Sequence, residues 1–213
     1  MTLTETPLRC ADELLGRMTL EEKAMQLTSV VPLALIGREG PLRDQLEHRL
    51  AHGIGHVAET RLGIPAIFHD EALNGVVAAG FTAFPTPVAL AATGDPVAVQ
   101  EMADPMRRQM RAVGLLHALA PVMDVARDAR WGRVTETYGE DPHLVGALSV
   151  AFTRGMQGAD LREGVIACAK HFIGYAQTEG GQNMAAIAVG PASSAMCTAA
   201  PSRRPSGSRG WPA

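Results

Sequence analysis

The sequence predicts an α/β fold with parallel strands. Short apolar runs bounded by glycine or proline alternate with longer amphipathic stretches, in the order strand, helix, strand, helix. Three of the runs end in charged clusters: His69-Asp70-Glu71, Asp124 through Arg133, and Lys170-His171. Residues that handle a ligand gather at the carboxyl ends of strands in parallel α/β barrels, because the loops there open onto one face.

The elements follow in order. Leu14–Thr28 reads as a helix, with Thr19 and Glu22 as N-cap and capping box and Leu20, Met25 and Leu27 as its apolar positions. Arg43–Ala51 is a second, shorter amphipathic helix. Gly53–Val57 and Ile64–Phe68 are strand candidates. Asp95 is the expected N-cap of a long helix reaching about Val113, with Pro96 at the favoured first position. Pro105 lies inside it and predicts a kink or break, because proline lacks the N–H that the preceding turn needs. Leu115–Val125 reads as a third strand with its exit loop, Pro142–Met156 as a third long helix, and Val165–Ala169 as a fourth strand.

Bulk properties narrow the function. The 213 residues are 46% hydrophobic and 19% charged, with a net charge of −3, so no electrostatic argument favours nucleic acid or an anionic membrane. Cys10, Cys168 and Cys197 show no CxxC spacing, which argues against a zinc site or disulfide framework and suits a reducing compartment. The first residues lack the apolar core of a secretory signal, and no apolar run approaches the ~18 residues that span a bilayer. A cytoplasmic location is expected. The histidines at 52, 56, 69 and 117 match no metal-ligand spacing and read as structural. A Gly-rich phosphate loop between strand and helix is missing too, which argues against a nucleotide-binding domain.

Acids and cations mixed around one pocket suit a polyhydroxylated ligand, whose hydroxyls both donate and accept hydrogen bonds. Each residue has a plainer reading as well. Glu71 could start a helix, Arg133 could staple its loop, Lys170-His171 could be a solvated strand end, and Trp131 could be buried rather than stack on a sugar. Glu140-Asp141 could simply cap the helix that follows.

Three segments carry a family resemblance. RLGIPAIFHDEALNG (Arg61–Gly75), DVARDARWGRVTETYGEDPHLVG (Asp124–Gly146) and KHFIGYAQTEGGQNM (Lys170–Met184) resemble, in order and spacing, the signatures of glycoside hydrolase family 3, β-glucosidase or β-xylosidase type. FPTPVALAATGDP and RAVGLLHALAPVMDV agree more weakly; the likeness spans about Leu14–Pro191. It implies the first part of a (β/α)8 barrel, retaining hydrolysis of terminal β-linked glucose or xylose from a small glycoside, and no cofactor. By position, Glu71 would grip two hydroxyls of the −1 sugar, with Asp70 as the nearby alternative. Arg133, Lys170 and His171 would complete the clamp, while Asp124, Glu136 and Asp141 would hold Arg133 and its loop. Asn74 stands where many relatives have His, and Gln182 where many have Arg. The N-acetylglucosaminidase branch is a second reading, disfavoured because its KHFPGHG-type sequence is Lys-His-Phe-Ile-Gly-Tyr here. A catalytically silent sugar-binding fragment is a third.

Retaining glycosidases use two carboxyl groups roughly 5–5.5 Å apart. The resemblance puts nucleophile and acid/base beyond residue 213, so little turnover is expected of these residues alone. About four strands are legible where a closed barrel has eight, which predicts open sheet edges and an uncovered apolar face. The resemblance implies that residues 1–190 form the N-terminal portion of the barrel. Residues 191–213 contain no Leu, Ile, Val, Phe, Asp or Glu, and read as a frameshifted or disordered tail. With suitable codons, reading this stretch from the third base gives GELRDVHRRPFEAAVREPGLAS, which resembles the family's continuation after Val-Gly-Pro.

Overall fold

The computed structural model describes residues 5–27, 63–188 and 190. The helix expected at Arg43–Ala51 and the strand at Gly53–Val57 lie outside them. The chain divides into two compact units, residues 1–68 and 69–213.

In the first unit, helices α1 (Glu5–Arg17) and α2 (Leu20–Gln26) replace the single helix expected over 14–28. Thr19 is the reason for the break. Its hydroxyl accepts from the Glu22 amide (3.2 Å) while the Glu22 carboxylate accepts from the Thr19 amide (2.9 Å), the expected capping box. A residue that caps a helix has extended backbone and cannot also continue one. The apolar stripe read across the break does not hold either, for Leu20 and Leu27 are exposed while Met18 and Glu22 are buried.

The second unit is built on a three-stranded sheet whose first strand starts at the boundary residue Phe68: β1 (Phe68–Asp70), β2 (Leu115–Ala118) and β3 (Ile166–Ala167), in that spatial order. Strands β2 and β3 are parallel, with His117 opposite Ile166 and Ala118 opposite Ala167. A short helix α3 (Pro87–Ala91) and the long α4 (Pro96–Ala112) connect β1 to β2, and α5 (Pro142–Gln157) connects β2 to β3. Strand β1 begins at the last residue of the expected run. Its apolar segment leads into the sheet, and the pairing falls on the charged cluster that follows.

Helix α4 starts as expected. Asp95 Oδ1 accepts from the amides of Val97 (2.8 Å) and Ala98 (3.2 Å), and Pro96 follows. The helix then runs through Pro105, so the break expected there does not occur. The carbonyl that Pro105 leaves without a donor belongs to Glu101, an exposed residue, where water can take the donor's place. Val99, Ala103, Met106 and Met110, at helical spacing, are fully buried. They meet Val145, Leu148, Phe152 and Met156 of α5 in one core. Gly155 permits the close approach, since a Cβ there would lie 2.4 Å from the Gln100 carbonyl oxygen and 2.6 Å from Ala103 Cβ.

The outer strands carry exposed apolar side chains, Phe68 (50%) and Ile166 (53%). Among the described residues, no helix is long and apolar enough to cross a membrane.

Candidate active site

Backbone pairing continues past the ends of the strands, and this continuation assembles the site. The Leu119 amide donates to the Asp70 carbonyl (2.9 Å) on one side of the central strand. On the other side, the Cys168 amide donates to Ala118 (2.9 Å), the Lys170 amide to Pro121 (3.0 Å) and the Met123 amide to Lys170 (2.5 Å). Val122 bridges in parallel to both Lys170 and Thr137. The segment after β2 is therefore gripped by its neighbours, and the residues that follow each pairing emerge at one rim.

Glu71 and Lys170 flank the central strand and reach across it. Lys170 Nζ lies 2.5 Å from Glu71 Oε2; the Glu71 side chain is 59% exposed and that of Lys170 only 15%. The lysine side chain is thus largely covered, while that of Glu71 stays open to solvent. Asp70 turns inward to its own backbone. Its Oδ1 accepts from the Ala72 amide (3.0 Å), and this turn holds Ala72 at a φ of 49°.

Two buried or half-buried acids brace the other cations. Asp124, 3% exposed, lies 2.6 Å from His171 Nδ1 through Oδ2, which fixes the imidazole and leaves Nε2 for a ligand. Glu136 binds Arg133 through two parallel bonds, Nε–Oε1 at 2.7 Å and Nη2–Oε2 at 2.6 Å. Those bonds hold the Glu136 carboxyl below its ordinary range, against a smaller opposing effect of burial; Arg133, Lys170 and His171 add Coulombic attraction. The same pairing, above all, raises the Arg133 pKa.

Glu71, Arg133, Lys170 and His171 thus lie on one rim, with Asp124 and Glu136 behind two of them. Asp124 braces His171, not Arg133 as expected. Asp141 has a different use. Its carboxylate accepts from the His143 amide (2.8 Å) as the N-cap of α5, the plainer of its two readings. Trp131 is 2% exposed, and its Nε1 donates to Asn183 Oδ1 (3.0 Å), so burial and not sugar stacking accounts for it. Of the two departures, Asn74 is half-buried and Gln182 exposed. His69 and His117 pack edge to face at 6.3 Å, and among the described residues no cluster could hold a metal ion.

The sequence assigned no site role to Tyr175, which served only to separate the two family branches, or to Asn183. Both lie in the Lys170–Met184 segment, and Tyr175 follows His171 by four residues; an aromatic so near a candidate ligand group is the signal that was there to use.

Residues 19–193 match the glycosyl hydrolase family 3 N-terminal domain. The chain belongs to this family. A β-xylosidase of Formosa agariphila is 37% identical over 180 residues, which are 80% of this chain and 21% of that protein. A periplasmic β-glucosidase/β-xylosidase of Dickeya chrysanthemi is 38% identical over 133 residues, covering 57% of this chain and 20% of its own length. Among solved structures, a β-glucosidase from Erythrobacter marinus superposes with a TM-score of 0.83 at 31% identity, over 92% of this chain and 30% of that one. A Listeria innocua β-glucosidase solved with glucose gives 0.66 at 30% identity, over 81% and 28%. The chain spans between 21% and 33% of the length of the first curated relatives it matches. The family fold is a TIM-barrel-like α/β domain, and the parallel sheet with its connecting helices is part of one.

Proposed function

We propose that this rim binds the terminal sugar of a β-linked glucoside or xyloside, in an enzyme that hydrolyses the glycosidic bond with retention of configuration. The single observation that carries the reading is the convergence of an open carboxylate, a guanidinium, an ammonium and a braced imidazole from three strand-end segments. Glu71 would accept two sugar hydroxyls while Lys170, His171 and Arg133 donate to the remaining oxygens. Donors fixed in this way can tighten on the oxocarbenium-like transition state, above all through the 2-hydroxyl. Asp70 supports Glu71 through its turn and stays the alternative ligand.

Among these residues the work is binding and orientation. The two carboxyl groups that break the bond are not among the candidates here, and the chemistry needs no cofactor. The relatives named for β-xylosidase and β-glucosidase activity support the substrate class, as does the Listeria innocua enzyme solved with glucose.

Calorimetry with glucose and with xylose tests the reading. Binding by the 213-residue chain should fall by at least about tenfold in Glu71→Ala, since even one hydrogen bond to a charged group is worth about 1.5–3 kcal/mol. Thermal stability should barely change, because the exposed side of the Glu71–Lys170 pair lies in water. Equal sugar affinity in both proteins would remove the assignment.

A further inference from the structure

Arg133, His171 and Trp131 all converge on the ring of Tyr175, which the sugar contacts themselves do not require. The Arg133 guanidinium carbon is 5.3 Å from its centroid. The His171 ring lies 4.6 Å away at an interplanar angle of 71°, and the Trp131 ring 5.5 Å away at 78°. Arg133 and Trp131 belong to the loop after β2, whereas His171 and Tyr175 belong to the segment after β3. The two segments touch again nearby. A Cβ on Gly181 would lie 2.8 Å from the Trp131 amide nitrogen, and Trp131 Nε1 is bonded to Asn183.

The acids behind the two cationic groups leave one freedom unconstrained. Glu136 grips Arg133 by bonds directed along the guanidinium plane, so the pair can still swing out of that plane. Asp124 holds His171 by a single ring nitrogen, so the imidazole can still turn about that bond. A ring packed against both removes these motions. A cation over an aromatic face is attracted by the ring quadrupole, and an edge-to-face pair fixes the angle between two planes.

We propose that Tyr175 is a positioning residue. Its ring sets the plane of the Arg133 guanidinium and that of the His171 imidazole, so that both address the same sugar. The inference rests on the sugar-binding reading of the rim, and it assigns the setting of both planes to the π system, beside the smaller interaction of the Tyr175 side chain's polar end with Arg133.

The test uses the 213-residue chain with Tyr175 replaced by Phe, by Leu and by pentafluorophenylalanine, which keeps the ring's shape but reverses its quadrupole. Two readouts are taken: glucose affinity by calorimetry, and order and solvent exchange of the Arg133 Nε–H by nitrogen-15 NMR without sugar. Tyr175→Phe should stay within about twofold of the parent affinity, while Leu and the fluorinated ring should weaken it by about three- to tenfold and loosen the Arg133 signal. Unchanged Arg133 order and affinity with the fluorinated ring would overturn the proposal, as would a loss in Phe equal to that in Leu. A Leu variant that fails to fold does not decide the matter, since the fluorinated ring preserves packing and still does. If the parent chain binds no glucose, the sugar reading fails separately, and the Arg133 signal alone tells whether Tyr175 positions it.

Discussion

The Arg133–Glu136 pair offers the most direct measurement of how firmly the site is held. The perturbation is a double-mutant cycle of Arg133→Ala, Glu136→Ala and the two together. Fully exposed ion pairs contribute about 0–1 kcal/mol, and breaking a fully buried one costs about 3–5 kcal/mol. Both side chains here are 24% exposed and joined by two short parallel bonds. A coupling of about 1.5–2 kcal/mol is therefore expected at neutral pH, between the two limits. The assay is urea unfolding of all four proteins.

The acid dependence of this coupling has a definite sign. Bonds from Arg133 lower the folded-state pKa of Glu136. The folded protein then binds the proton less readily than the unfolded chain, whose glutamate titrates near about 4.3. The stabilisation is complete above that value and is lost as the pH falls through the depressed folded value. Unfolding repeated at about pH 3 should thus give a smaller coupling than at neutrality. A neutral-pH coupling within the ~0.5 kcal/mol expected of independent sites would refute the reasoning, and so would a coupling that grows in acid.

Other positions give further predictions. Asp124→Ala should destabilise the fold by about 1–3 kcal/mol, because it leaves the His171 ring N–H without its acceptor, and Asp124→Asn should recover part of the loss; urea unfolding of both variants checks this. Gly155→Val should lower stability by about 1–3 kcal/mol, since its side chain would press on the Gln100 carbonyl and Ala103 and force α4 from α5; a thermal midpoint equal to the parent's would contradict the packing described. Asp95→Ala should cost about 1 kcal/mol through the lost cap of α4 and leave glucose affinity as it was, measured by unfolding and calorimetry together.

What the sequence disclosed was mostly local. The caps of α4 and α5 were legible because the capping side chain lies within three residues of the amides it serves. Thr19 and Glu22 were equally legible, yet the helix was drawn through them, although a cap excludes a helix passing through it. Strand limits were less accessible. The apolar run Ile64–Phe68 marks where the chain enters the sheet, but pairing begins at Phe68 and uses His69 and Asp70, and that choice is made by β2. Pro105 shows the opposite failure, a strong local signal overruled because the orphaned carbonyl sits on the wet side of a well-packed helix.

The site divides along the same line. Its charged members could be named from motifs, but who holds whom is a matter of register. Asp124 reaches His171 because the Lys170 amide pairs with Pro121 and the Met123 amide with Lys170, which sets the next residue of each segment side by side. Shifting that ladder by one residue would send Asp124 to the other face and leave the imidazole without its brace. Glu136, by contrast, holds Arg133 from three positions away within one short turn, so that pairing survives any slip between the strands. Tyr175 depends on both kinds of contact at once, local to His171 and distant from Arg133, and only the folded chain shows that one ring serves them together. A perturbation of the β2–β3 ladder should therefore disturb His171 and Tyr175 before it disturbs the Arg133–Glu136 pair.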